Sequence, residues 1–245
     1  MSQKKTGRKK MITILPQTDK EPLNTIGYCA GVCWNSPVED KEQNIKRAKS
    51  CIKSGHTRTA EYPDVFCIIE GYSARCIREL YTHIIGTTRL QSSTRYVDAK
   101  AMNIENEFYN PFTGDAADVY KEGLSDIMQT YQKLEELGYP KEDAANILPL
   151  GMDTKIVWKI NLRALMHFMN LRLCSRAYKE IRALSMELKE KLRQLSPEWE
   201  WICDNLLLPK CEFTGYCDEA KSCGRKITKA QMLEAIEEWT KNKNK

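Results

Sequence analysis

Histidine is scarce in this chain. Only three occur in 245 residues, His56, His83 and His167, and no two stand at the i, i+4 spacing of a helical zinc pair. A glycine-rich phosphate loop and a GxSxG nucleophile elbow are also missing, which removes the P-loop and serine-hydrolase readings. Long apolar runs are lacking too: nothing approaches the roughly eighteen residues that span a bilayer. The first residues carry no apolar stretch of the secretory kind, so a cytoplasmic protein with no membrane partner is expected.

Charge is present but unevenly placed. The formal net charge is +5, yet "MSQKKTGRKK" holds five basic residues without an acid and the final "TKNKNK" holds three more, so without these eight the remainder stands at −3. A basic groove for nucleic acid is therefore not expected, and the ends read as solvated tails over 1–10 and 241–245. Between them, 11–240 has the length and the apolar content of a globular protein of one elaborate domain or two small ones. Ten cysteines would suit a disulfide scaffold only in a short secreted chain, so reduced thiols are expected here. Cys211, Cys217 and Cys223, with Cys203 nearby, raise the question of zinc, but five residues separate each neighbouring pair of the three instead of the usual two to four. No metal is expected.

Hydrophobic periodicity gives the order of elements. "MITILPQT" alternates like a strand, "EPLNTIGYCAGVCW" has helical spacing through Ile26, Ala30 and Cys33, and "KEQNIKRAKSCIKSG" is an amphipathic helix closed by Gly55. "DVFCIIEG" reads as a buried strand bounded by Gly71, and "YSARCIRELYTHI" returns to helical spacing. "DAADVYKEGLSDIMQTYQKLEELGY" is a long helix stopped by Gly138 and Pro140, with a short helix in "PKEDAANILP". The longest helix is expected to begin near Lys155 and to carry one apolar stripe from Leu162 to Leu192. On it Asn161 and Arg172 are eleven positions apart, close to three turns or about 16 Å, so they share a face that a long ligand could touch. The plain alternative is a surface face with a satisfied Asn and a salt-bridged Arg.

A second polar cluster lies in "THIIGTTRLQSSTRY", where Arg89 and Arg95 surround a run of hydroxyls. A guanidinium matches a phosphate or carboxylate, and Ser and Thr hydroxyls can supply the remaining donors. An ordinary polar turn would look the same.

Taken together these segments resemble the flavin-dependent thymidylate synthases. "LPLGMDTKIVWKINLRALMHFMNLRLCSRAYKEIR" follows that family's Leu-Pro, Thr, Trp, Asn-Leu-Arg-Ser-Leu, His-Phe, Arg, Ala-Gln-Trp-Glu-Ile-Arg succession, "SSTRY" its Ser-x-Arg-Tyr, and "GHTRTAEY" its Gly-His segment, with Tyr62 where the family has a second histidine. The resemblance implies a single catalytic domain over 11–240, an α+β fold with a central antiparallel or mixed sheet flanked by long helices, in a homotetramer with shared active sites. It implies FAD as cofactor, NADPH and methylenetetrahydrofolate as co-substrates, and a uracil nucleotide, dUMP, methylated to dTMP without a cysteine nucleophile.

By the same resemblance Arg172 would stabilise the uracil as its N3 ionises. Arg95 would contact the base and Ser93 the phosphate, with Glu79, Thr82, Ser92 and Thr94 around the nucleotide. Arg58, His83, Ile84, Asn161, Leu162, Arg163 and His167 would line the FAD site, and Thr82 and Gln91 would stand near both ligands. The departures concern charge. Thr82 and Ile84 replace signature arginines, Ala145 replaces a third, Gln91 replaces a Glu, and Glu79 stands where the family has Gln. Arg89 is expected to restore the lost charge, with Arg75 or Arg78 assisting.

Overall fold

The structure is a computed structural model and describes residues 10–95 and 102–243. In chain order it contains strand β1 (Met11–Ile14), helices α1 (Pro22–Cys33) and α2 (Lys41–Lys53), a 3-10 turn at Thr57–Glu61, strand β2 (Asp64–Ser73), helix α3 (Ala74–Tyr81) and strand β3 (Thr87–Gln91). There follow α4 (Asp115–Glu136), α5 (Lys141–Ala144) with a second 3-10 turn at Ala145–Ile147, β4 (Asp153–Asn161), α6 (Leu162–Arg172), α7 (Lys179–Arg193), α8 (Pro197–Asn205), α9 (Lys210–Thr214) and α10 (Lys229–Lys243). The α+β class is as expected. These elements form two compact units, Met1–Asp19 with Asp64–Ile160, and Lys20–Pro63 with Asn161–Lys245.

The first unit is built on a four-stranded sheet in the order β1-β2-β4-β3. β1 pairs antiparallel with β2, Ile12 opposite Ile69, and β3 pairs antiparallel with β4, Arg89 opposite Trp158. Both inner strands bury alternate residues: Val65, Cys67 and Ile69 in β2, Ile156, Trp158 and Ile160 in β4. A separate apolar cluster forms where Leu124, Met128 and Tyr131 of α4 meet Phe108, Ala144 and Met152. Lys10, expected in the N-terminal tail, places its ammonium 4.7 Å from the Tyr72 ring centre and 5.1 Å from that of Tyr109. The rest of that tail, residues 1–9, lies outside the described residues, as do Tyr96 of "SSTRY" and residues 244–245.

The second unit opens with two helices in close approach. A Cβ on Gly27 of α1 would stand 1.9 Å from the Asn44 carbonyl oxygen of α2, so only glycine fits at this crossing. Asn44 is buried beside it and donates to Val38 O (2.8 Å) and Asn24 Oδ1 (3.0 Å). α1 begins at Pro22, as a helix N-terminus favours, but no side chain of its own caps it. Glu198 of α8 takes that role: its Oε2 accepts from Leu23 N (2.8 Å) and Asn24 N (3.0 Å), and its Oε1 lies 3.3 Å from Lys41 Nζ. α7 packs on α8, and its stripe Ile181, Leu184, Leu188 and Leu192 is fully buried. Lys241 and Lys243, read above as tail, belong to the last turn of α10, where positive charge complements the helix dipole.

The long helix expected from Lys155 to Leu192 does not exist as one element. Its first part is β4, where buried Ile156, Trp158 and Ile160 alternate with the exposed side chains of Lys155 and Val157, a two-residue period. Asn161 then caps α6, its side chain accepting from Ala164 N at 2.9 Å. α6 stops at Arg172, and residues 173–178 form a turn in which Arg182 Nη1 donates to Ser175 O at 3.1 Å. Asn161 and Arg172 thus bracket one eleven-residue helix.

Candidate functional site

Within the first unit the residues expected at the nucleotide form one continuous path from the end of α3 through β3. Glu79 is half-buried in α3, and Thr82 closes that helix with its hydroxyl donating to Glu79 O at 2.7 Å. His83 N donates to Leu80 O at 3.1 Å, while Ile84 is 68% exposed. Gly86 turns the chain at φ 70, and β3 follows as an edge strand. The middle of "THIIGTTRLQSSTRY" is thus a strand and not the ordinary polar turn weighed as its alternative reading. Gln91 Nε2 donates to Thr154 Oγ1 of β4 at 3.2 Å, and Ser92 N extends the ladder to Lys155 O at 2.8 Å. Ser93 and Thr94 are half-buried, with Ser93 Oγ accepting from Arg95 N at 3.3 Å. Arg95 ion-pairs with Glu142 of α5, Nε to Oε2 at 2.6 Å.

Arg89 has a local duty that the sequence did not suggest. Its Nη1 donates to His83 O and Thr87 Oγ1, both at 3.2 Å, and its Nη2 donates to Tyr81 O at 3.3 Å. The guanidinium also stacks 4.0 Å above the Tyr81 ring centre. This arginine therefore closes the C-terminal end of α3, where carbonyls lack helical partners and positive charge is favourable. Arg89→Ala is expected to lower stability by about 1–2 kcal/mol in the absence of any ligand, since it removes charge-assisted hydrogen bonds and a cation–π contact from a partly buried position. Urea unfolding checks this, and wild-type stability would show that the cap contributes nothing.

Within the second unit, α6 and the turn before β2 carry Arg58, Asn161, Leu162, Arg163 and His167 of the residues expected at the flavin, whereas Thr82, His83, Ile84 and Gln91 belong to the first unit. Arg58 is exposed in the Thr57–Glu61 turn, against which α6 packs. Leu162 is fully buried, and its N–H donates to Pro63 O at 2.9 Å, anchoring the start of α6 beside that turn. Arg163 is exposed and ion-paired with Glu61 of the same turn. His167, one helical turn on, is exposed on the same side of α6 as Arg163. Asn161 keeps its amide N–H2 available while its oxygen caps the helix. Arg172 is half-buried in the last turn. The unit thus carries Asn161 at the start of α6, Arg163 and His167 along one side of it and Arg58 in the turn against which it packs, with Arg172 at the helix's other end.

The partners Glu142, Glu61 and Thr154 had no signature in the sequence, because they lie 47, 102 and 63 positions from Arg95, Arg163 and Gln91. Ala145, where a family arginine is missing, lies in the 3-10 turn that follows α5. Among the described residues no group of three or more His, Cys, Asp or Glu is arranged to hold a metal ion, and no helix is long and apolar enough to cross a membrane.

Comparison with known proteins places this geometry in a family. Residues 14–198 match the model of the thymidylate synthase complementing protein family, Thy1. The flavin-dependent thymidylate synthase of Pyrococcus abyssi is 31% identical over 222 residues, covering 85% of this chain and 89% of that protein. The one from Pyrococcus horikoshii is 33% identical over 227 residues, covering 86% and 89%. In fold, the chain is similar to the crystal structure of a UMP/dUMP methylase, PolB from Streptomyces cacaoi, bound with 5-Br dUMP. The TM-score is 0.66 at 17% identity, over 82% of this chain and 98% of that one. A family model and relatives that each span most of the sequence establish that the chain belongs to the flavin-dependent thymidylate synthase family, as a divergent member.

Proposed function

We propose that the protein binds FAD and methylates a uracil nucleotide, dUMP, to dTMP, with methylenetetrahydrofolate as carbon donor and NADPH as reductant, in a homotetramer with shared active sites. The observation that carries this reading is the 31% identity to a flavin-dependent thymidylate synthase over 85% of the chain. The residues around α6 fit a flavin dinucleotide. Exposed Arg58 and Arg163 suit its pyrophosphate, and the Asn161 amide and His167 imidazole suit polar edges of the ring or ribose. When bound, the flavin supplies hydride and one-carbon relay chemistry that no side chain can.

The chain's own residues supply binding and charge. Ser93 and Thr94 offer hydroxyls to a nucleotide phosphate, and Ser92 and Gln91 extend that donor row. Arg95 reaches the base once its ion pair with Glu142, an exposed contact of small net energy, is exchanged for the ligand. Arg172 offers a planar cation to the uracil edge, where it stabilises the negative charge that develops as N3 loses its proton. Thr82 and Ile84 lack the charge of the arginines they replace. Arg89 serves this segment first by closing the end of α3, and its remaining donors would be offered to a phosphate.

The missing cations at Thr82, Ile84 and Ala145 favour a second reading, a family member that binds flavin or a different uracil nucleotide without making dTMP. Colour and product separate the two. The purified protein is expected to show a flavin absorption spectrum, to release FAD on denaturation, and to form dTMP from dUMP when given methylenetetrahydrofolate and NADPH. Flavin without dTMP formation assigns the second reading. Colourless protein that takes up no added FAD overturns both.

A further inference from the structure

Four of the ten cysteines line one pocket in the second unit. Cys174, in the turn between α6 and α7, borders a cavity of about 100 Å³ together with Cys211, Cys217 and Cys223, and Asn170, Ser175 and Arg225 are among the other residues of its wall. Everything here from Cys211 onward lies beyond the residues that match the family model, 14–198. The wall is braced from several directions. Cys217 N donates to Ile227 O at 2.7 Å, Ser222 Oγ donates to Lys226 O at 2.7 Å, and Lys226 pairs with Glu212 at 3.0 Å. Arg225 Nε lies 3.9 Å from the same Glu212, and Arg176 Nε lies 3.9 Å from Glu219.

The pocket makes its thiols unlike one another. Cys223 is exposed, Cys174 and Cys211 are half-buried, and Cys217 is buried. Ser175 Oγ and Asn170 Oδ1 are buried on the cavity wall without a partner of normal hydrogen-bond geometry. The Ser175 hydroxyl lies against the Cys223 sulfur and holds that thiol below the usual cysteine range, with the Arg225 backbone and guanidinium adding to the effect. Cys211 shows the reverse, because burial pushes its thiol up more than Arg225 draws it down. One exposed cysteine beside three less exposed ones on a single cavity wall is the arrangement of a sensor thiol with a resolving partner. Metal is not the explanation, since the four do not converge as a ligand set.

We propose that Cys223 is a site of reversible oxidation by hydrogen peroxide, resolved by Cys174 across the same pocket. In the first step the Cys223 sulfur attacks one peroxide oxygen and the O–O bond breaks. Hydroxide leaves and takes a proton to become water, and a sulfenic acid remains. In the second step the Cys174 sulfur attacks that sulfenic sulfur, the S–S bond forms and the S–O bond breaks. The departing hydroxide takes the Cys174 proton as a second water, so two thiols and one peroxide give one disulfide and two waters. Cys174 is the partner because it directly precedes Ser175, whose hydroxyl already lies against Cys223. The disulfide would tie the C-terminal segment to the turn that begins just after Arg172.

The test uses the full chain and does not depend on its activity. The protein is treated with hydrogen peroxide, blocked with iodoacetamide, digested and mapped by mass spectrometry, with exposed Cys33 as an internal reference. Cys223 is expected to be lost about tenfold faster than Cys33, into a Cys174–Cys223 cross-linked peptide that dithiothreitol reverses. In Cys174→Ser the cross-link should vanish and a dimedone-reactive Cys223 should accumulate. Equal loss of Cys33 and Cys223, or a cross-link joining any other pair, overturns the proposal. The wild-type map decides the matter alone if that variant fails to fold.

Discussion

Arg172→Ala is expected to slow methyl transfer to the nucleotide by on the order of a hundredfold while leaving flavin binding nearly intact, the effect of removing one preorganised donor to developing negative charge. The expectation follows from position. Arg172 is half-buried in the last turn of α6, an element whose other end, with Asn161, Arg163 and His167, holds the residues assigned to the flavin. Its side chain can therefore be removed without disturbing that end. The helix-dipole part of a cation at a helix C-terminus is worth about 0.3–1 kcal/mol, and the melting curve reads the whole cost of the substitution. Arg172→Lys separates charge from shape: it keeps the cation but loses the planar fork, so an intermediate rate is expected. Single-turnover dTMP formation, with the flavin spectrum and a melting curve on the same sample, makes the measurement. Turnover at the wild-type rate in Arg172→Ala would remove this residue from the chemistry.

The second large effect is on stability. Glu198→Ala is expected to destabilise the protein by about 3–5 kcal/mol, because two main-chain N–H groups at the start of α1 lose a buried carboxylate acceptor and the α8 side of the contact is left with a cavity. Glu198→Gln keeps an oxygen that both N–H groups can reach, so most of the loss should be recovered. Glu21→Ala is the contrast. Glu21 also pairs with Lys41, at 2.6 Å, but in solvent, and its removal should leave stability near wild type. Urea unfolding of the three variants is decisive. If Glu198→Ala and Glu21→Ala proved equally mild, the buried carboxylate would not be the cap of α1.

Much of the fold could be read from the chain because its boundaries carry chemical marks. Pro22 opens α1, Asp40 caps α2 by accepting from Glu42 N and Gln43 N, and Gly138 with Pro140 ends the chain's run through α4. The misread stretch lacks such marks. From Ile156 to Met169 apolar residues recur so densely that a two-residue and a helical period both fit, and Asn161, the one boundary signal, looks like a ligand residue as readily as a cap. β3 was hidden for another reason: it is a short edge strand with Leu90 exposed, so no burial pattern marks it. At the site, residue types were legible while their occupations were not. Arg89 looked like a phosphate ligand because guanidinium suits phosphate. A row of backbone carbonyls suits it equally, and carbonyls have no signature in a sequence.

The interleaving of the two units has a consequence for how the protein is made. The chain crosses between them at 19/20, 63/64 and 160/161, so neither unit is a contiguous stretch of the message. β1 leaves the ribosome early, and its partner β2 follows some fifty residues later. The sheet still lacks β4 until residue 161 has emerged. The second unit waits longer, since the carboxylate that caps α1 arrives only with residue 198. A domain that folds as it is synthesised can bank its first half before the second appears. Here neither unit is complete until well past the middle of the chain, and nascent chains stalled before α8 should remain sensitive to protease along α1 and α2 however complete their sheet.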